Sequence, residues 1–412
     1  MKKILAMILA ALLVLAMGVG AMADDEPAAT TGVWDSTATT LTIPKGLLLI
    51  NAVDGNYYSP EVTFTYTIAP VAPAEGAEVK DEHDNTAVVR QGVEGGATLA
   101  SSEVEFVSES KSFTAAGNEI TKDLTVNVNL SKFTQPGVYR YQISDATTPA
   151  VLYAAGIVRP ADYEKDRYLD VYIEYNEAGT ELQIAGYVLA KDNTSKTTAS
   201  TDKTSGFDVA SETKDKEDKY TTYNVTLKKI VSGSLGDKTH EFPFEITVSN
   251  NSLTYLYKET EGEGTATVAN AAPMTNTALS GITLKDKDML YLFGLSPKAT
   301  VAYTERNDTA DTYQVQVSTE TAATNVSSNG THAFAAAAIT DYDTVNSTSA
   351  ANTQETLTDA KAVTFTNTLN AISPTGVVLR FAPYIIMAGI AVVLLVLAAR
   401  RRKDTQDKSS SI

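Results

Sequence analysis

The chain has 412 residues, a formal net charge of −17 and no cysteine. Its acidity disfavours nucleic acid as a partner, and without cysteine no disulfide can stabilise it. The three histidines, His83, His240 and His332, lie far apart in sequence. A histidine metal site or a Ser-His-Asp triad is therefore not expected, and no phosphate loop or dinucleotide fingerprint suggests a cofactor.

The N-terminus has the features of a secretory signal peptide over residues 1–23. A basic start, Met1-Lys2-Lys3, precedes an apolar run at 4–16 and a small-x-small cleavage site at Ala21-Met22-Ala23. We therefore expect the chain to be exported and the mature protein to begin at Asp24.

Most of the remaining chain is rich in Val, Ile, Thr and Tyr, in short runs that alternate polar and apolar residues between turns. Such runs are typical of half-buried strands. They predict an all-β fold with two tandem immunoglobulin-like β-sandwich domains. We expect a first domain at 33–190, a polar linker at 191–223 and a second domain at 224–370.

In the second domain, one polar residue in each of three strands falls on the apolar face, because alternate residues of a strand share a face. The residues are Lys229, Glu305 and Asn367. An unpaired buried charge is costly, so the three side chains are expected to meet. Burial lowers the pKa of a lysine and raises that of a glutamate.

A neutral amine at Lys229 could then attack the amide of Asn367 while Glu305 shuttles protons. The product is an intramolecular isopeptide bond, formed in a single turnover, and ammonia is released. The alternative is an ordinary ion pair between Lys229 and Glu305, with Asn367 hydrogen-bonded to the backbone.

Three stretches of this domain, 224–233, 295–305 and 365–367, resemble the streptococcal-type pilin isopeptide-linkage family, whose domains are akin to collagen-adhesin B-type domains. That family has its lysine in the first strand, its asparagine in the last and a glutamate between them. The resemblance implies these roles for Lys229, Asn367 and Glu305 respectively.

The first domain matches the same order less completely. Lys45 lies on an apolar face as Lys229 does, and Asp145 stands where the family has its glutamate. No matching asparagine follows, so Asp218 is a candidate acceptor, with Asp208 as a rival. An aspartate acceptor would release water instead of ammonia. The alternative here is a buried ion pair between Lys45 and Asp145.

The C-terminal region resembles a sortase sorting signal of the Leu-Pro-X-Thr-Gly type, with the sequence Ile372-Ser373-Pro374-Thr375-Gly376. An apolar segment at 381–399 predicts a transmembrane helix, and the basic tail at 400–412 predicts a cytoplasmic end. In such a signal, a sortase cleaves after the threonine and transfers its acyl group to an amine. A plain membrane anchor is the alternative.

Together these features predict a Gram-positive cell-surface protein, transiently anchored in the membrane and most simply a pilus subunit. Its expected partners are a sortase, the peptidoglycan precursor or other pilin subunits, and a host surface ligand. Candidate lysines for linkage between subunits are Lys214, Lys216 and Lys219. A monomeric wall-anchored adhesin or stalk protein is the alternative. A secreted hydrolase is disfavoured because no paired catalytic constellation stands out, so no enzyme with turnover is expected.

Overall fold

A computed structural model describes much of the two predicted domains and a short C-terminal stretch. The described residues are 32–34, 37–75, 77–80, 86–193, 203–209, 217–249, 251, 254–297, 299–306, 313–319, 323–327, 333–335, 339–340, 361–371, 384 and 386–397. The predicted signal peptide, the sorting motif at 372–376 and the basic tail lie outside them. Residues 386–397 are helical, but the described part of the chain contains no helix long and apolar enough to cross a membrane.

The first domain is built from two main sheets and a short ribbon. Its strands are β1 (Val33–Trp34), β2 (Thr40–Ile50), β3 (Gly55–Tyr58), β4 (Val62–Pro70), β5 (Glu78–Lys80), β6 (Thr86–Gln91), β7 (Ala97–Leu99), β8 (Glu103–Phe106), β9 (Ser110–Phe113), β10 (Asn118–Val128), β11 (Gly137–Asp145), β12 (Ile157–Val158), β13 (Asp166–Tyr175), β14 (Leu182–Ala190) and β15 (Lys219–Thr221). A short helix, α1 (Pro149–Ala155), precedes β12, and a 3-10 turn spans Leu130–Lys132.

The larger sheet of the first domain has the strand order β1-β14-β13-β11-β4-β8, with β6 pairing to both β11 and β5. The smaller sheet has the order β12-β15-β2-β10-β7, and β3 pairs with β9. One hydrophobic core contains residues of both sheets. Alternate residues of β2 share one face of the strand, and this face packs into that core through Leu41, Ile43, Leu47 and Leu49.

The second domain is likewise built from two main sheets. Its strands are β16 (Tyr223–Ser232), β17 (Phe242–Ser249), β18 (Tyr255–Thr260), β19 (Ala272–Met274), β20 (Ala278–Leu284), β21 (Met289–Leu295), β22 (Thr300–Arg306), β23 (Gln314–Thr319), β24 (Ala323–Ser327), β25 (Ala333–Ala335), β26 (Ile339–Thr340) and β27 (Lys361–Thr368). A 3-10 turn spans Val268–Asn270.

One sheet of the second domain has the order β19-β18-β21-β16-β27-β23-β24. The other has the order β20-β17-β22-β25, with β26 also pairing to β22. A second hydrophobic core contains residues of both sheets. The first strand, β16, and the last, β27, are parallel neighbours. The strand-rich, multi-sheet architecture predicted from the sequence is confirmed.

Part of the predicted linker at 191–223 belongs instead to the first domain. Strand β15 pairs in parallel with β2 and antiparallel with β12. Phe207 is fully buried, and its ring centroid lies 5.0 Å from that of Tyr66. The polar composition of this stretch hid these contacts, because a few isolated apolar residues carry no periodic pattern.

The two domains meet at a buried pair of amides. Asn224 Nδ2 donates to Asn51 Oδ1 at 2.9 Å, and Asn51 Nδ2 donates to Asn224 Oδ1 at 3.2 Å. Asn224 Oδ1 also accepts from the backbone N–H of Gly294 at 3.0 Å. Gly294 has a φ of 72°, and a Cβ there would lie 2.7 Å from the Tyr57 ring. Glycine therefore permits both the left-handed backbone conformation within β21 and the close approach of Tyr57.

Candidate functional site

The structure brings together the three polar residues predicted to meet in the second domain. Lys229 lies on β16 opposite Phe365 of β27, and Asn367 lies two residues further along β27. Glu305 lies on β22, in the facing sheet. Each of the three residues is 0% exposed. The strand periodicity that identified them is therefore also what directs them into the same part of the core.

Glu305 is in contact with both of the other side chains. Lys229 Nζ lies 3.1 Å from Glu305 Oε1 and 3.0 Å from Oε2. Asn367 Nδ2 donates to Glu305 Oε1 at 2.5 Å. Among the described residues, Asn367 Oδ1 has no hydrogen-bond partner. Rotation of the amide by 180° would place Oδ1 where a protonated Glu305 can donate a hydrogen bond to it.

Aromatic rings surround this site and exclude water from it. Lys229 Nζ lies 4.1 Å from the centroid of the Phe242 ring and 6.0 Å from that of Phe244. Phe244 packs edge-on against Phe365 with a centroid separation of 5.3 Å. Burial lowers the pKa of Lys229 to about 8, although Glu305 opposes this effect. Burial likewise raises the pKa of Glu305. Both shifts favour a neutral amine beside a protonated acid.

The first domain has a larger cluster of buried charges around Lys45. Lys45 Nζ is in contact with Asp208 Oδ2 and lies 2.8 Å from Asp218 Oδ2. It also lies 4.4 Å from the centroid of the Phe64 ring. Asp145 ends β11 and is 4% exposed. The predicted Lys45, Asp145 and Asp218 are therefore close together, but the described ion pairs of Lys45 are with Asp208 and Asp218.

Two members of this cluster, Arg159 and Tyr163, escaped sequence analysis. Arg159 donates to Asp218 Oδ1 at 2.8 Å and Oδ2 at 2.7 Å, and to Asp145 Oδ2 at 2.7 Å. The Tyr163 hydroxyl donates to Asp145 Oδ2 at 3.0 Å and lies 3.5 Å from Lys45 Nζ. Both residues follow the two-residue strand β12, where no periodic pattern predicts burial.

The two aspartates beside Lys45 have opposite tendencies to ionise. Burial raises the pKa of Asp208 to about 7, with Lys45 opposing the rise and Asp218 adding to it. Burial also disfavours ionisation of Asp218, but Lys45 and Arg159 outweigh that effect and lower its pKa to about 2. Burial alone would lower the pKa of Lys45, but the neighbouring aspartates raise it overall.

The other predicted site residues are only partly described. Lys214, Lys216 and the sorting motif Ile372–Gly376 lie outside the described residues. Lys219 is half-buried on β15. Lys203, which the sequence analysis did not select, is half-buried and forms a bridge to Ala190 on β14. Burial lowers the pKa of Lys203 to about 8.

Comparison with known proteins gives matches over both domains. A family model described as "Domain of unknown function (DUF7601)" matches residues 223–369. A protein named "Pilin" from Streptococcus pyogenes serotype M1 is 26% identical over 362 residues, which cover 85% of this chain and 87% of that protein. The crystal structure of the major pilin from Streptococcus pyogenes is 21% identical, with a TM-score of 0.42, and covers 81% of this chain and 99% of that one.

The fold and the buried sites define a class: two-domain β proteins in which a lysine on an early strand of each domain faces carboxyl or amide side chains inside the core. Within this class, the match along most of the chain confirms the resemblance to streptococcal pilins, and the chain is a homologue of the Streptococcus pyogenes pilin.

Proposed function

We propose that this chain is a sortase-anchored pilus subunit of a Gram-positive cell surface, whose second domain closes itself with an isopeptide bond between Lys229 and Asn367. The main support for this bond is that a buried lysine on the first strand and a buried asparagine on the last strand contact the same buried glutamate. The similarity to a pilin over most of the chain supports the pilus assignment.

The chemistry requires an amine, a polarised amide and a group that moves protons. Neutral Lys229 attacks Cγ of Asn367, so that an Nζ–Cγ bond forms and the Cγ–Nδ2 bond breaks. Glu305 donates a proton to the leaving nitrogen and accepts one from Nζ, and it ends in its starting state. Ammonia leaves, and the acid performs the cycle once because its substrate is its own domain.

The position of this bond suits a protein that carries tension. The chain enters the domain through β16 and leaves it through β27, and the two strands are parallel neighbours. Tension between the ends of the domain would shear these strands apart if hydrogen bonds alone joined them. With the covalent bond in place, force passes directly from Lys229 to Asn367 and bypasses residues 230–366.

In the proposed assembly, the signal peptide at 1–23 directs export, and the segment at 381–399 holds the protein in the membrane until sorting. The sortase cleaves after Thr375 and joins its acyl group to a lysine of another subunit or to the peptidoglycan precursor. Lys203 joins Lys214, Lys216 and Lys219 as a candidate acceptor, because its lowered pKa increases the fraction of neutral amine.

Wild-type protein should form a ladder of covalent multimers on cells that carry the matching sortase, and the ladder should survive boiling in detergent. Thr375→Ala should leave monomer in the cell fraction, because it disrupts the sorting motif. Single lysine-to-arginine variants at the four candidate positions keep the charge, and the variant that removes the ladder identifies the acceptor. A single wall-released band from wild-type cells would contradict the pilus assignment and support the monomeric adhesin.

A further inference from the structure

The first domain places two aspartates against Lys45, whereas the second places one asparagine near Lys229. We infer that Lys45 is joined to Asp208, and that Arg159 directs this choice by holding Asp218 as an ion-paired carboxylate. This inference rests on the isopeptide chemistry proposed above. It departs from the order that the resemblance implies, in which Asp218 is the acceptor.

The backbone holds Asp208 firmly beside Lys45. Phe207 forms a parallel bridge with Lys45, and its carbonyl accepts from the Gly46 N–H at 2.7 Å. Asp208 has a φ of 53°, which is uncommon and costly for a residue other than glycine. A Cβ at Gly46 would overlap the Asp208 carbonyl oxygen. Asp208 is buried in a strained conformation, and only glycine fits at position 46. The fold therefore fixes the contact between Asp208 and Lys45.

Asp218 is also close to Lys45, but both of its carboxyl oxygens are engaged by Arg159, at 2.8 Å and 2.7 Å. A two-pronged pair with a guanidinium is among the strongest charge-assisted contacts in proteins. It keeps Asp218 ionised, and a carboxylate resists attack by an amine because the addition would place a second negative charge on the same group. Asp208 is therefore the better acyl acceptor.

A path for protons runs from Lys45 to Asp145. Lys45 Nζ donates to the Tyr163 hydroxyl at 3.5 Å, and that hydroxyl donates to Asp145 Oδ2 at 3.0 Å. Asp145 has one methylene fewer than a glutamate, and Tyr163 spans the resulting gap. Glu305 in the second domain needs no such relay, because it contacts Lys229 directly.

The reaction balances with these groups alone. The Lys45 ammonium passes one proton through Tyr163 to Asp145, and the neutral amine attacks Cγ of protonated Asp208. The Nζ–Cγ bond forms and the bond from Cγ to the hydroxyl breaks. The hydroxyl takes up the proton held by Asp145 and leaves as water, and the second proton lost from Nζ passes to Asp145, which ends protonated. The raised pKa of Asp208 supports its role as the protonated acid.

Trypsin separates the two candidate acceptors, because Asp208 falls in peptide 204–214 and Asp218 in peptide 217–219. We expect the digest of the whole secreted chain to contain a branched peptide in which Lys45, resistant to cleavage, is joined to 204–214 with loss of one water. A branch to 217–219, or only a linear peptide that ends at Lys45, would overturn the inference. The ammonia lost at Asn367 is read from the same digest and tests the second domain separately.

Two kinds of variant test the acceptor and the role of Arg159. Asp208→Asn should still join Lys45 to 204–214 but should release ammonia instead of water; a retained loss of water would contradict the assignment. In Arg159→Met, and more weakly in Arg159→Lys, a fraction of Lys45 should move to 217–219. The second domain of both Arg159 variants should still lose ammonia, which shows that the protein is folded. If Lys45 is then linked to 204–214 alone in both variants, Arg159 does not select the acceptor.

Discussion

Glu305→Gln is expected to leave Lys229 and Asn367 unlinked and to lower the stability of the second domain by about 5 kcal/mol, the value for closing a loop of this length by a cross-link. Glutamine nearly matches glutamate in shape but cannot shuttle a proton between Nζ and the leaving nitrogen. The measurement combines intact mass with denaturant unfolding of the secreted chain.

Glu245→Gln provides the matched control for this variant. Glu245 lies on β17, where its partly exposed carboxylate pairs with Arg306 at 2.9 Å. Exposed pairs contribute about 0–1 kcal/mol, so this variant should keep both the ammonia loss and nearly all of the stability. If Glu305→Gln lost ammonia as fully as the wild type, Glu305 would have no part in the reaction.

Arg140→Met is expected to destabilise the first domain by about 3–5 kcal/mol, because it leaves a buried charge without its partner. Arg140 donates to both carboxyl oxygens of Asp170 at 2.7 Å, and both residues are at most 1% exposed. Arg140 also donates to the carbonyl of Asn193 at 2.6 Å, which fixes the segment after β14. Thermal and denaturant unfolding of the secreted chain would measure the change.

A second substitution separates the charge effect from the loss of packing. In Arg140→Met/Asp170→Leu no buried charge remains at this position, so much of the lost stability should return, as it does when apolar residues replace other buried ion pairs. Arg306→Met removes the arginine of an exposed pair and should cost no more than about 1 kcal/mol. Equal losses in Arg140→Met and Arg306→Met would contradict the importance assigned to burial.

Strand periodicity predicted that three polar side chains of the second domain would meet, and the structure brings them into contact. Lys229, Glu305 and Asn367 each occupy a position where the alternation demands an apolar residue, and a polar residue there has to find a partner in the core. The same reasoning found Lys45 and Asp145. These predictions succeeded because each residue lies on a strand long enough to define a face.

The rest of the first-domain site could not be read in this way. Asp208 lies between two apolar residues in a polar stretch, and Arg159 follows a strand of two residues. Their contacts with Lys45 and Asp218 join segments that are far apart in sequence. The bridge from Phe207 to Lys45 and the pairing of β15 with β2 and β12 bring these segments together, whereas the polar composition of 191–223 predicted a linker.

The most direct test of the covalent closure is the intact mass of the secreted chain under denaturing conditions, measured beside Asn367→Ala. We predict that the wild-type mass is lower than the calculated mass by one ammonia and that the variant shows no such deficit. Any loss of water from the first domain should be the same in both proteins. If neither protein lacks an ammonia, no bond joins Lys229 to Asn367, and the second domain is an ordinary β-sandwich with a buried ion pair.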